Sequence, residues 1–223
     1  MRRRLPPDYP FVAAWVLASA IGIAVSGAFA GRLAASGREM AITLAPSVAD
    51  GVRQYGPATM AAMSTWGAGL GVMQWLVVRG WLEGARWWAP ATVTGWGVAG
   101  AVIGTLVGAL NGRLTAGAHD AGLIGVVITV SLSLLALGLI PATFQWLILR
   151  GGLRSWACYS LRHAAGLVAG GVALWALASS LGLNLPSGSA WAVGGIAMGA
   201  CIGVATARPV AQPLRLARDG SVR

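Results

Sequence analysis

The chain has 223 residues, of which 57% are hydrophobic and 10% are charged, and its mean hydropathy is +0.71. Soluble domains carry about 25% charged residues, so this composition excludes an ordinary soluble domain and predicts an integral membrane protein. All 16 basic residues are arginines, which excludes a Schiff-base lysine, and with it a retinal pigment or a lysine nucleophile.

Six apolar runs follow in chain order, each near the length of about 20 residues that crosses a hydrocarbon core about 30 Å thick. They predict an all-α protein with six transmembrane helices. The abundance of Gly and Ala in every run is typical of helices that pack against each other in membranes. The runs cover approximately 11–31, 57–78, 88–110, 122–149, 164–183 and 189–207.

The first run has a second interpretation. Arg2–Arg4 resembles the basic start of a signal peptide, and Ala28-Phe29-Ala30 resembles its cleavage site. We interpret the run as a retained first helix, because it is longer than the apolar part of a usual signal peptide. Its pattern also returns later in the chain.

Two polar segments flank the runs. The longest connection, 34–56, has Ser47 as the predicted cap of a short helix that ends near Tyr55. The segment 209–223 is predicted to be a mobile, basic cytoplasmic tail whose arginines attract anionic lipid head groups.

Two segments repeat the same six-residue pattern, which we call the Gln-Trp box. Residues 74–79 are Gln-Trp-Leu-Val-Val-Arg, and residues 145–150 are Gln-Trp-Leu-Ile-Leu-Arg. Each box closes an apolar run. The interval between them is too long for one helix and fits a membrane hairpin with its loops, which indicates duplication.

A second repeated element opens alternate runs. Its pattern is an aromatic residue followed by glycines, W-x2-A-x3-G-x4-G, and it begins at Trp15, Trp88 and Tyr159, where Arg162 replaces the alanine of the third copy. The chain is therefore predicted to contain three parallel hairpins within one membrane domain, at about 11–79, 88–150 and 159–208. The third hairpin lacks the box and keeps only Arg208.

The arginines predict the topology. If the N-terminus is cytoplasmic, twelve arginines lie on the inner side, and only Arg32, Arg38, Arg53 and Arg113 lie on the outer side. This positive-inside bias explains the net charge of +10 better than nucleic-acid binding does. Six spans place both termini in the cytoplasm of a prokaryotic cell, with the protein in its inner membrane.

Many tryptophans fall near the predicted inner interface, where an apolar ring with a hydrated N–H is favoured. A role for them in binding a pigment or an aromatic ligand is the alternative. They are Trp15, Trp75, Trp81, Trp87, Trp88, Trp146 and Trp156.

Glycines of the aromatic-glycine pattern, together with others at four-residue spacing, are predicted to let odd-numbered helices pack closely at the centre of the bundle. The alternative is a glycine-lined path for a solute. The packing candidates are Gly22, Gly27, Gly95, Gly100, Gly104, Gly166 and Gly170.

The Gln-Trp box has two interpretations of its own. Arg79 and Arg150 are expected to reach lipid phosphate, with Trp75 and Trp146 beside them at the interface. Gln74 and Gln145 then lie just inside the hydrocarbon, where they either bond a neighbouring helix or bind a lipid head group, a quinone or a pigment. The first choice is interhelical bonding; no cofactor is predicted.

Other chemical groups are sparse. No acidic residue lies well inside a run, and no metal-ligand set, phosphate loop or nucleophile-base pair is found. His163 lies at the predicted inner start of the fifth run, where it is expected to be solvated, although it could ligate a metal or a chlorin.

The paired aromatic-glycine helices and Q-W-L-x2-R boxes resemble uncharacterised multi-span proteins of prokaryotes that carry this box in tandem. The resemblance covers Trp15 to Arg208. It implies the same topology and brings no catalytic residues to this chain.

The sequence thus favours a non-enzymatic accessory or structural subunit of a larger membrane complex, with lipid, pigment or partner helices as its ligands. The alternative is a channel or facilitator for a small neutral solute, in which Gln74, Gln145, Thr94 and the glycines face one wet path. An intramembrane enzyme is disfavoured, because no acid, base or metal set converges.

Overall fold

The computed structural model describes residues 9–41, 47–80, 82, 84–115, 122–149, 153–181 and 188–218, and these are almost entirely α-helical. A short 3-10 turn, Ala85–Trp87, leads into the third helix. The all-α fold class is therefore confirmed. The helices are α1 (Tyr9–Ala41), α2 (Val48–Val78), α3 (Trp88–Thr115), α4 (Gly122–Leu149), α5 (Leu153–Leu181) and α6 (Gly188–Arg218).

Four of these helices contain segments that are long and apolar enough to cross a membrane, which indicates a membrane protein. Helices α2 and α5 are 31 and 29 residues long, but glycine, glutamine or arginine residues within them lower their mean hydropathy. The four segments are Pro10–Phe29, Ala85–Asn111, Val127–Leu149 and Val193–Ala211.

The helices form a closed ring. Each helix packs against its neighbours in sequence, and α1 also packs against α6. Helices α2 and α3 are antiparallel, because Gly51 lies against Gly108 whereas Gly71, further along α2, lies against Ala89 near the start of α3.

Two apolar layers fill the ring, and every helix contributes to both. The first layer consists of Trp15, Val78, Ala85, Trp88, Ala142, Tyr159, Ala207 and Val210. The second consists of Ile23, Trp66, Leu70, Trp96, Leu167 and Ile202, with Leu137 of α4 packed against it. Side chains thus occupy the centre of the ring at two levels.

Several helices are longer than the apolar runs. Ser47 caps α2 as predicted, since its Oγ accepts a hydrogen bond from the Asp50 N–H at 3.2 Å. The predicted short helix is wrong, however, because α2 continues through Pro57 to Val78. Helix α6 also continues past Arg208, and Val210, at the start of the segment predicted to be mobile, is buried in the first layer.

Candidate functional site

Gln74 is buried in α2 and joins three other helices. Its Nε2 donates to Ser19 Oγ of α1 at 3.0 Å. Its Oε1 accepts hydrogen bonds from Trp88 Nε1 of α3 and from Gln145 Nε2 of α4, each at 3.2 Å. Both lone pairs of the amide oxygen are therefore used within the protein.

Gln145 is equally buried, in α4, and continues the same set of bonds. Besides its bond to Gln74, its Nε2 donates to Thr92 Oγ1 of α3 at 3.0 Å. Its Oε1 accepts from the Tyr159 hydroxyl of α5 at 2.5 Å. Both amide hydrogens of Gln145 thus have acceptors. We call this set the glutamine network: Ser19, Gln74, Trp88, Thr92, Gln145 and Tyr159.

A separate bond of the same kind joins α6 to α1. Trp15 Nε1 donates to Thr206 Oγ1 at 3.0 Å, and the Thr206 hydroxyl donates to the Ile202 carbonyl of its own helix at 2.7 Å. Each odd-numbered helix therefore carries, within its first two turns, a buried aromatic N–H or O–H that donates to a polar side chain of an even-numbered helix.

Thr206 was not predicted from the sequence, although a signal for it exists. Thr206 lies seven residues after Gly199, just as Gln74 follows Gly67 and Gln145 follows Gly138. Each of these glycines lies against the next odd-numbered helix of the ring: Gly67 against α3, Gly138 against α5 and Gly199 against α1. The spacing from a glycine, rather than the presence of an amide, therefore identifies Thr206 as the residue of the third hairpin that corresponds to Gln74 and Gln145.

Ser19 and Thr92 were not predicted as site residues either. Each lies four residues after the aromatic residue of its helix, and residues at that spacing share a helix face. Thr92 does donate to the Trp88 carbonyl at 2.8 Å, but its oxygen also accepts from Gln145. His163 holds the corresponding place after Tyr159.

His163 is not solvated, contrary to expectation: its side chain is 1% exposed. Helix α5 begins at Leu153, so His163 lies about three turns inside it rather than at its start. Its ring contacts the rings of Trp96 and Tyr159, with centroids 6.3 Å away in each case. The backbone of Gly138 approaches the ring, but no hydrogen bond of ordinary geometry reaches either ring nitrogen.

The arginine end of the first box is exposed. The Arg79 guanidinium lies over the Trp75 ring, with its Cζ 5.6 Å from the ring centroid. Arg86 lies over Trp87 in the same way, at 5.8 Å. Trp75 is half-buried, as an interface residue would be. These pairs place two cations at the α2–α3 connection.

The structure describes only part of the second box. Arg150 lies outside the described residues, and Trp146 is half-buried with a buried Nε1 that lacks a hydrogen-bond partner. Trp15 and Trp88 are fully buried in the protein, so their N–H groups are not hydrated as expected for interface residues. Both donate hydrogen bonds inside the ring, which satisfies the N–H without water.

The predicted glycines do allow close packing, but between odd- and even-numbered helices rather than among odd-numbered ones. A Cβ on Gly22 would lie 2.7 Å from the Gly69 carbonyl oxygen of α2. Gly95 lies against Pro141 of α4, and Gly166 against Ile202 of α6. Of the remaining candidates, Gly27 is buried, Gly100 and Gly104 lie against α2, and Gly170 lies against α6.

The arrangement offers hydrogen bonds rather than reactive groups. Among the described residues, no three His, Cys, Asp or Glu side chains are placed to hold a metal ion. Thr94, expected on a wet path with the glutamines, is exposed on the outer surface, whereas the glutamines are buried inside the ring. No family model matches the chain, and searches of curated proteins and of solved structures found nothing similar. The function of the protein is therefore inferred from the geometry of its own residues.

Proposed function

We propose that the protein is a non-enzymatic accessory or structural subunit of a larger complex in a prokaryotic inner membrane. The observation that carries this proposal is the glutamine network. Gln74 and Gln145 are the polar side chains best suited to hold a ligand. Both form their hydrogen bonds with other helices of the same chain. Such a core stabilises a scaffold and leaves binding to the outer surface.

The outer surface supports this function because it offers broad apolar faces. Helix α1 presents a stripe at four-residue spacing, made of Leu17, Ile21, Val25 and Phe29. The first half of α4 is exposed on more than one side, since Val127 and Ile128, and later Leu134 and Leu135, are all exposed. Helix α4 thus has room for lipid or for a helix of another protein.

The same proposal includes six membrane spans in three parallel hairpins, with both termini cytoplasmic. The bonds Trp15–Thr206, Trp88–Gln74 and Tyr159–Gln145 support the hairpins, because each joins one hairpin to the preceding one around the ring. Thr206 then takes the place of the missing glutamine in the third hairpin. The arginine bias supports the orientation.

Cysteine labelling tests the orientation. Cys158 is exposed near the predicted inner face, and Cys201 is half-buried in α6. In a Cys201→Ser background, a membrane-impermeant maleimide should label Cys158 only after the cells are permeabilised. Labelling of intact cells would place this end of α5 outside and contradict the proposed topology.

Purification from native membranes in a mild detergent tests the function. We expect the protein to migrate with a larger membrane complex, and the Leu17–Phe29 stripe or the exposed half of α4 to be required for that association. A protein that migrates alone and gives liposomes a solute flux abolished by Gln74→Leu, but not by Thr105→Val, would overturn the subunit and establish a facilitator. Thr105 is a suitable control, because its hydroxyl is exposed and donates to the Ala101 carbonyl of its own helix.

A further inference from the structure

We propose that His163 and Trp96 form an internal binding site for a neutral hydroxyl group, supplied by a water molecule or by a membrane-soluble alcohol. The site lies between α3 and α5, close to the backbone of Gly138 in α4. It is independent of the proposed function, since a scaffold or a facilitator could contain it.

Burial without partners is the first observation. Each side chain is 1% exposed, and neither Trp96 Nε1 nor the two nitrogens of His163 make a hydrogen bond of ordinary geometry. Native proteins satisfy nearly all buried polar atoms, either directly or through a bound molecule. Two adjacent side chains that both lack partners therefore indicate a shared third group.

The glutamine network supplies the second observation. Ser19 and Thr92, at the positions that correspond to His163, each accept a hydrogen bond from a glutamine. In the third hairpin the glutamine position is Thr206, whose hydroxyl donates to Ile202 and accepts from Trp15. Threonine is too short to replace the amide, so His163 receives no donor from α6.

The chemistry of the two rings selects a hydroxyl group. The edge-to-face contact of Trp96 and His163 combines an indole N–H, which only donates, with an imidazole that has one donor and one acceptor nitrogen when neutral. A hydroxyl oxygen can accept from Trp96 Nε1, and its O–H can donate to the acceptor nitrogen of His163. The other imidazole N–H then remains for the nearby backbone of Gly138. An anion or a cation does not fit, because the side-chain ring contacts described for Trp96 and His163 are with the uncharged rings of Trp66 and Tyr159.

Nuclear magnetic resonance of the whole protein in lipid nanodiscs can test the site. The chain has only two histidines, His119 and His163, so 15N-histidine labelling gives the signals of two imidazole rings, which a His119→Gln variant assigns. The Trp96 indole signal is assigned by Trp96→Phe. The Trp88 indole, which donates directly to Gln74, is the matched control in the same spectrum.

If water is the source, the Trp96 indole proton should show a cross-peak at the water frequency that the Trp88 indole lacks. If a membrane alcohol is the source, the cross-peak should fall on non-water protons, and an alcohol should appear in the organic extract of wild type but not of His163→Phe. A Trp96 indole with neither cross-peak, or with a direct scalar coupling to a His163 nitrogen, would overturn the proposal. The cross-peaks are read from the wild-type spectrum, so this result does not depend on whether His163→Phe folds.

Discussion

Replacement of Gln145 by leucine should destabilise the protein by about 3 kcal/mol. The change removes the three hydrogen bonds of Gln145, with Gln74, Thr92 and Tyr159. Interhelical hydrogen bonds in membranes contribute ~0.6 kcal/mol each on average, which gives about 2 kcal/mol for three. The Tyr159 hydroxyl is also left buried without its acceptor, which costs at least about 1 kcal/mol more. Thr92 keeps its own bond to Trp88, so it adds little.

Unfolding in mixed micelles, followed by helical content as the fraction of sodium dodecyl sulfate increases, measures this free energy. A double-mutant cycle with Tyr159→Phe isolates the shared bond, and we expect a coupling energy of about 1 kcal/mol or more. Thr105→Val is the control and should stay within about 0.5 kcal/mol of wild type. If Gln145→Leu also stays within that range, or if Tyr159→Phe costs the same in both backgrounds, the network does not hold the helices together.

Two further predictions use the same unfolding measurement. Gly166→Ala should destabilise the protein by about 1–3 kcal/mol, because its Cβ would lie 2.8 Å from the backbone of α6. Gly171→Ala meets no atom within 4 Å and should instead gain up to about 1 kcal/mol of helix propensity; a loss of stability at both glycines would refute this distinction. Trp15→Phe and Thr206→Val remove one shared hydrogen bond, so the double variant should cost less than the sum of the singles. Strict additivity would mean that this bond does not join α1 to α6.

The sequence predicted the class of fold and the polar character of the core better than it predicted particular contacts. The aromatic residues and glutamines of the repeats could be identified from spacing alone, since both interrupt or bound apolar runs. Their pairing could not be predicted, because every even-numbered helix offers small and polar residues to two neighbours. Ring closure and the Trp15–Thr206 bond therefore had no sequence signal as strong as the box.

His163 shows why mean hydropathy misplaces helix starts. Arg162 lies next to it and is exposed, whereas His163 points into the ring. A window average combines both faces of a helix, so an arginine on the outer face hides a buried residue on the inner one. The same averaging shortened α6, where Arg208 is exposed and Val210 is fully buried.

The glutamine network has a consequence for the order in which the membrane chain assembles. Gln74 donates a hydrogen bond to Ser19 of the preceding helix, but its other hydrogen-bond partners lie in α3 and α4, which are synthesised later. Gln145 in turn accepts a hydrogen bond from Tyr159 of α5, which is synthesised later still. A nascent chain that stops before the fifth helix therefore holds an amide oxygen without this partner in an apolar layer, which is costly there. The glutamine network is therefore complete only when α5 has joined the first four helices.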